Sequence, residues 1–158
     1  MKNKDIYLIL HNIRSVHNVG AIFRTAECAG IKKIYLIGIT PAPTDRFGRA
    51  RVDFHKSALG AETLVEWEYK KNCSGILQNF RIEGVEIIAV EQARGAVDYK
   101  KIKIKKTTAF IFGNEVKGIP DSILKKANKI AEIPLRGKKE SLNVSTSVGI
   151  FLFRVLQI

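Results

Sequence analysis

Cysteine is scarce in this chain of 158 residues: Cys28 and Cys73 are the only two. They are too few and too far apart for a disulfide framework, and no histidine or aspartate cluster joins them at metal-ligand spacing. Both thiols are expected free and reduced, and no metal is expected. His11, His17 and His55, the only histidines, share no partner spacing and are assigned no chemistry. No apolar run approaches the roughly 20 residues that cross a bilayer; even Val148 to Leu156 is broken by Gly149 and Arg154. Met1-Lys-Asn-Lys-Asp5 leads only to a short apolar run ending at His11, which is not a signal peptide, so a cytoplasmic location is expected. Also missing are a Gly-x-Gly-x-x-Gly fingerprint and the Gly-Lys-Ser/Thr ending of a phosphate-binding loop, which disfavours dinucleotide and nucleoside triphosphate chemistry.

What the chain has in excess is positive charge. Lys and Arg number 27 against 15 Asp and Glu, a formal +12 with a pI near 9.9. Such an excess favours a polyanionic partner, nucleic acid above all; a merely well-solvated surface is the blander reading. The 46% apolar share suffices to bury one core at this length. No linker, low-complexity tract or repeat interrupts the chain, so one domain over 1–158 is expected.

Short apolar runs suited to buried strands occur at Ile6 to Leu10, Ile34 to Ile37, Ile87 to Val90, Ala109 to Phe112 and Ile130 to Ile133. Between them, Val19, Ile22, Phe23, Ala26 and Ala29 follow the spacing of an amphipathic helix that Gly30 stops. Cys73 to Glu83, Pro120 to Ala127 and Ser145 to Gln157 predict further helices. The alternation predicts an α/β fold, a mostly parallel sheet flanked by helices, with ligands outside the carboxyl ends of the strands. Gly38 to Asp53, carrying Arg46, Arg49 and Arg51, is expected to be an irregular substrate-facing loop. Lys100 to Lys106 alternates in its middle, so a strand there would turn Lys101, Lys103 and Lys105 to one face and Ile102 and Ile104 to the other. A phosphate track and a lysine-protected sheet edge are equally open there.

Glycine and small polar residues adjoin apolar runs in Asn18-Val-Gly20-Ala-Ile-Phe-Arg24-Thr25, in Gly113-Asn-Glu115-Val-Lys-Gly118, and in Ile133-Pro134 through Ser141-Leu142-Asn143-Val-Ser145. Taken singly, each has a plain reading. Gly113 to Gly118 suits an ordinary turn as well as backbone approach to a ligand. Arg24 lies on the helix face opposite Ile22, Phe23 and Ala26, where arginine is usually solvated. Ser141, Asn143 and Ser145 suit the N-terminal cap of the last helix.

Taken in order, the segments resemble the motifs of SpoU-type RNA ribose 2′-O-methyltransferases of the SPOUT, or α/β-knot, superfamily, from about Ile6 to the C-terminus. The resemblance implies a C-terminal trefoil knot, which topology rules would not predict, and S-adenosylmethionine as cofactor. It implies cofactor contacts, mostly through backbone, from around Glu91, Gly113, Ile133, Ser141 and Leu142. It makes Arg24 the group that activates the ribose hydroxyl or stabilises the developing alkoxide. Asn18, Glu115, Ser141 and Asn143 would orient it, with Glu115 its charge partner. It further implies tRNA or rRNA as substrate and a homodimer whose active sites draw on both subunits. A non-catalytic basic RNA-binding module that keeps the fold is the rival reading, and a flavodoxin-like small-ligand protein a more distant one.

Overall fold

Ile6–His11 forms β1, whose even-numbered Leu8 and Leu10 face one side of the sheet while Ile9 faces the other. The computed structural model describes residues 4–158. After β1 come α1 (Val16–Cys28), β2 (Lys33–Ile37), α2 (Val52–Ala58), β3 (Glu66–Lys70), α3 (Ser74–Ile82), β4 (Glu86–Val90), β5 (Val97–Asp98), β6 (Thr108–Phe112), α4 (Asp121–Leu124), β7 (Lys129–Glu132) and α5 (Val144–Leu156). The sheet order is β3-β2-β1-β6-β4-β7-β5 and every pairing is parallel. The α/β sheet expected from the apolar runs is therefore the observed one.

Helices cover both faces, as a wholly parallel sheet requires. Side chains of α1, α2 and α5 pack with Leu8, Leu10, Phe110 and Phe112 on one face; α3 and α4 pack with Ile9, Ile87 and Ile111 on the other. Phe151 of α5 anchors the first layer, its ring centroid 5.0 Å from Phe110, 5.8 Å from Phe112 and 6.0 Å from Tyr99. Fully burying such a ring contributes about 1.5–3 kcal/mol. Gly20 sets the approach of α1 to α2: a Cβ there would stand 2.2 Å from Ser57 Oγ and 3.0 Å from the Phe54 carbonyl oxygen.

Some elements differ from expectation. Glu66-Trp-Glu-Tyr-Lys70 pairs in parallel with β2 as the edge strand β3 although it has no apolar run; Trp67 packs against the core, and Lys33 bridges Glu66 and Glu68 at 3.0 Å each. The irregular stretch after β2 ends at Arg51, since Val52 opens α2 and Phe54 and Ala58 carry it into the core. Lys100 to Lys106 forms no strand. Tyr99–Lys101 is a single 3-10 turn, and the residues after it reach β6 without joining the ladder. The alternation survives as exposure alone: Ile102 is buried and Ile104 half-buried against the core, with Lys101, Lys103 and Lys105 in solvent.

Candidate functional site

The carboxyl ends of β1, β6, β4 and β7 are neighbours along one edge, and each motif segment departs from or returns to it. The loop after β6 is the most constrained. Asn114 Oδ1 accepts the Val116 and Lys117 amides at 2.9 and 2.8 Å, and the Gly118 amide donates back to the Asn114 carbonyl at 3.0 Å. A Cβ at Gly113 would lie 2.7 Å from the Gly118 carbonyl carbon and from the Ile119 nitrogen. Gly118, at φ +67°, would press a Cβ to 2.4 Å from Glu91 Oε2. Both glycines are thus demanded by close approach.

Glu91, at the end of β4, locks this loop from outside: its Oε2 accepts the Ile119 amide at 2.9 Å and its Oε1 the Gln92 amide at 2.9 Å. From the other side the loop projects Glu115 onto the start of α1. Its carboxylate accepts the Arg14 amide at 3.0 and 3.2 Å, the Ser15 amide at 3.3 Å and Asn18 Nδ2 at 3.4 Å. An anion belongs there, beside the positive end of a helix. Burial pushes the Glu115 carboxyl up, but the Arg14, Glu115 and Ser15 amides and the Asn18 side chain outweigh it, leaving the group below the ordinary carboxylate range.

The third segment joins through Asn143. Its Oδ1 caps α5, accepting the Ser145 and Thr146 amides at 2.9 and 3.3 Å and the Ser145 hydroxyl at 2.6 Å. With Oδ1 committed to the cap, Nδ2 faces outward and donates to Asn18 Oδ1 at 3.1 Å. Asn18 must then turn its own Nδ2 to Glu115. The cap therefore fixes the orientation of every amide in the relay.

Between these loops lies a cavity of about 470 Å³, within the range of small-molecule sites. Val90, Phe112, Ile119, Leu135, Leu142 and Val144 give it an apolar wall. Its polar lining reverses the sign of the whole molecule. Glu91, Glu115, Asp121, Glu132 and Glu140 line it, with Lys117 the single basic residue among the lining groups. Such a site suits a ligand with an apolar body and a positive charge. Among the described residues no group of three or more His, Cys, Asp and Glu is placed to hold a metal ion.

Glu91, Gly113, Ile133, Ser141 and Leu142, the residues expected at the cofactor, all line this cavity, and Glu115 lines it too. Asn18 and Asn143 adjoin it through the relay. Arg24 does not. It is exposed on α1, six residues past Asn18 and so about 9 Å along the helix. The expected Arg24–Glu115 pair is absent among the described residues, because the Glu115 oxygens are taken by the amides that open α1 and by Asn18.

Asn12 and Thr40 escaped the sequence reading. Asn12 sits at φ +55°, gives its carbonyl to Asn114 Nδ2 at 2.7 Å and its Oδ1 to the Ile39 amide at 3.1 Å, tying the loop after β6 to the loop after β2. Buried Thr40 accepts the Ile13 amide at 3.1 Å and donates toward the Leu10 and Ile37 carbonyls. An asparagine closing an apolar run, a common left-handed residue, was the one available signal.

Comparison with known proteins gives these geometries a context. The model of the SpoU rRNA Methylase family matches residues 5–153. The tRNA (guanosine(18)-2′-O)-methyltransferase of Aquifex aeolicus is 28% identical over 152 residues, 96% of this chain and 69% of that protein. The 23S rRNA (guanosine-2′-O-)-methyltransferase of Coxiella burnetii is 30% identical over 150 residues, 95% of this chain and 57% of that protein. The crystal structure of an AdoMet-bound rRNA methyltransferase from Sinorhizobium meliloti matches with a TM-score of 0.86 at 31% identity, covering 97% of this chain and 56% of that one. This chain thus spans between 56% and 69% of the length of these relatives.

Proposed function

This chain belongs to the SpoU rRNA methylase family, and from that membership we propose that it transfers a methyl group from S-adenosylmethionine to a ribose 2′-hydroxyl of tRNA or rRNA. The carrying observation is the cavity whose acidic lining opposes a net charge of +12. Adenine and a sulfonium need an apolar slot without crowding cations, and this is such a slot on a chain otherwise built to attract a polyanion. Ile133, Ser141 and Leu142 would hold the cofactor against the Gly113 loop, with Glu91 keeping that loop in shape. When bound, the cofactor supplies an electrophilic methyl group for in-line displacement by the ribose oxygen.

The chain's own residues then have two tasks: to hold the ribose and to ease removal of its proton. Glu115, Asn18 and Asn143 form an oriented polar row beside the cavity, fit to fix the sugar. Arg24 is assigned to the phosphate next to the reacting ribose or to the developing alkoxide, roles a permanently protonated guanidinium fills readily. Its separation from its own cavity supports a homodimer in which Arg24 serves the partner's cavity. The part-exposed Ile150 and Phe153 of α5, 39% and 40% accessible, support an interface there.

The proposal includes the trefoil knot. It is supported by a chain that leaves β4, passes outside β7 as β5, and returns to β6 at the sheet centre, while the residues after β7 go back to an α5 packed on Tyr99 of that same excursion. A cytoplasmic location follows from the substrates proposed; among the described residues no helix is long and apolar enough to cross a membrane.

The test is calorimetric titration with S-adenosylmethionine and S-adenosylhomocysteine, then transfer of labelled methyl to total cellular RNA. Saturable binding with label at ribose is expected. Binding of neither molecule would overturn the enzyme reading in favour of a non-catalytic RNA-binding module.

A further inference from the structure

The loop after β2 carries an aromatic ring that neither the core nor the cavity uses. Phe47 is 67% exposed at the tip of a turn closed by the Thr44–Ala50 bridge. The turn is tightly built. The Asp45 amide donates to the Arg49 carbonyl at 2.8 Å, and Asp45 Oδ1 accepts the Phe47 and Arg49 amides at 2.8 and 3.0 Å. Gly48 supplies the left-handed corner at φ +77°. On a tip ordered in this way the phenylalanine ring is presented to solvent without further rearrangement of the loop.

Two guanidinium groups attend the ring, with Arg46 Cζ 4.7 Å and Arg49 Cζ 5.0 Å from its centroid. They are not equivalent. Arg49 Nε is paired with Asp45 Oδ2 at 2.8 Å, and Arg51 is held by Asp53 at 2.9 Å. Arg46 has no carboxylate partner among the described residues. The tip therefore offers an exposed aromatic ring flanked by guanidinium groups, one uncompensated cation and a backbone ordered beforehand. That is the combination that stacks an unpaired nucleobase while gripping its phosphate.

We infer that Phe47 is a stacking platform for an unpaired base of the substrate RNA, that Arg46 binds the adjoining phosphate, and that Arg49 serves the shape of the turn. This rests on the RNA reading given above and deepens it. The loop leaves the same sheet edge as the cavity, and β2 is separated from β6 only by β1, about 10 Å across two strand spacings. The stacked base would thus belong to the neighbourhood of the modified nucleotide. A second copy of the chain is the other candidate to cover Phe47, but an uncompensated arginine beside the ring suits an anion better than another surface of this strongly basic protein.

The test compares a mixed-sequence single-stranded RNA of roughly 12 nucleotides with an RNA duplex of the same charge, at near-physiological salt. Phe47→Ala is expected to weaken single-strand binding by about tenfold or more and to leave duplex binding unchanged, with Phe47→Trp restoring the single strand. Arg46→Ala is expected to weaken both and to lower the salt slope by about one. Single-strand affinity unchanged in Phe47→Ala, or absent in the wild type, would overturn the proposal. So would a Phe47→Ala chain that loses self-association, measured by sedimentation, with its RNA affinity intact. S-adenosylmethionine titration of the wild type and the same variants keeps the two readings apart: no cofactor binding by the wild type defeats the enzyme reading, whereas the stacking result is read from RNA alone.

Discussion

Asn143 donates its side-chain amide to Asn18 Oδ1 at 3.1 Å, across 125 residues of sequence. The contact is oriented because the other end of Asn143 caps α5. Asn143→Asp keeps a good cap but sets oxygen against oxygen at Asn18, so it should melt within a degree or two of wild type while losing methyl transfer. Asn143→Ala removes both roles and should also lose about 0.5–2 kcal/mol of stability. Thermal melts alongside single-turnover transfer separate the two; a fully active Asp variant would dismiss the relay.

Glu115 is expected to matter through its charge. Its carboxyl lies below its ordinary value of 4.5 in the folded chain. A depressed folded value means the stabilisation is present above the unfolded value and lost as pH falls through the folded one. Glu115→Gln should therefore cost about 1 kcal/mol near neutral pH. The gap from wild type should close as pH drops below about 4.5. Paired denaturant titrations across pH check this, and a constant gap would contradict it.

Gly118→Ala should strike cofactor binding more than folding. Its Cβ would meet the Glu91 carboxylate at 2.4 Å from a left-handed backbone, so Glu91 must release the Ile119 amide or the loop must shift. Strain of this kind costs about 1–3 kcal/mol. Calorimetry should register at least a tenfold weaker S-adenosylmethionine affinity, and unchanged affinity would show that the loop's shape does not govern the cavity.

Gly20→Ala should do the opposite. The clash with Ser57 Oγ at 2.2 Å lies between α1 and α2, away from the cavity lining. About 1–3 kcal/mol of stability should be lost with cofactor affinity retained. Adding Ser57→Ala removes the nearest atom and should recover part of that loss, a non-additivity that a double-mutant cycle reads directly.

For Arg24, methyl transfer should fall at least a hundredfold in both Arg24→Ala and Arg24→Lys while cofactor affinity survives, since lysine lacks the planar fork. Mixing Arg24→Ala with a Gly118→Ala chain tests the shared site: partial recovery of activity is expected if one protomer's arginine serves its partner's cavity, and none if each protomer acts alone.

The sequence by itself determined the layering. Continuous apolar runs such as Ile87 to Val90 and Ala109 to Phe112, short and bounded by turn residues, suit strands buried on both faces, and the helical spacing from Val19 supplies a covering layer. It also marked the segments that meet at the site, through glycines and small polar residues at strand ends. Tertiary structure decided the rest, because the deciding partners are distant in the chain. Glu66 to Lys70 is a strand through its pairing with β2, where Lys33 also meets Glu66 and Glu68, and the lysines after Tyr99 stay out of the ladder although their pattern suited it. The family resemblance paired Arg24 with Glu115 by charge. Only the fold reveals that amides opening α1 reach that carboxylate first and leave the arginine facing solvent.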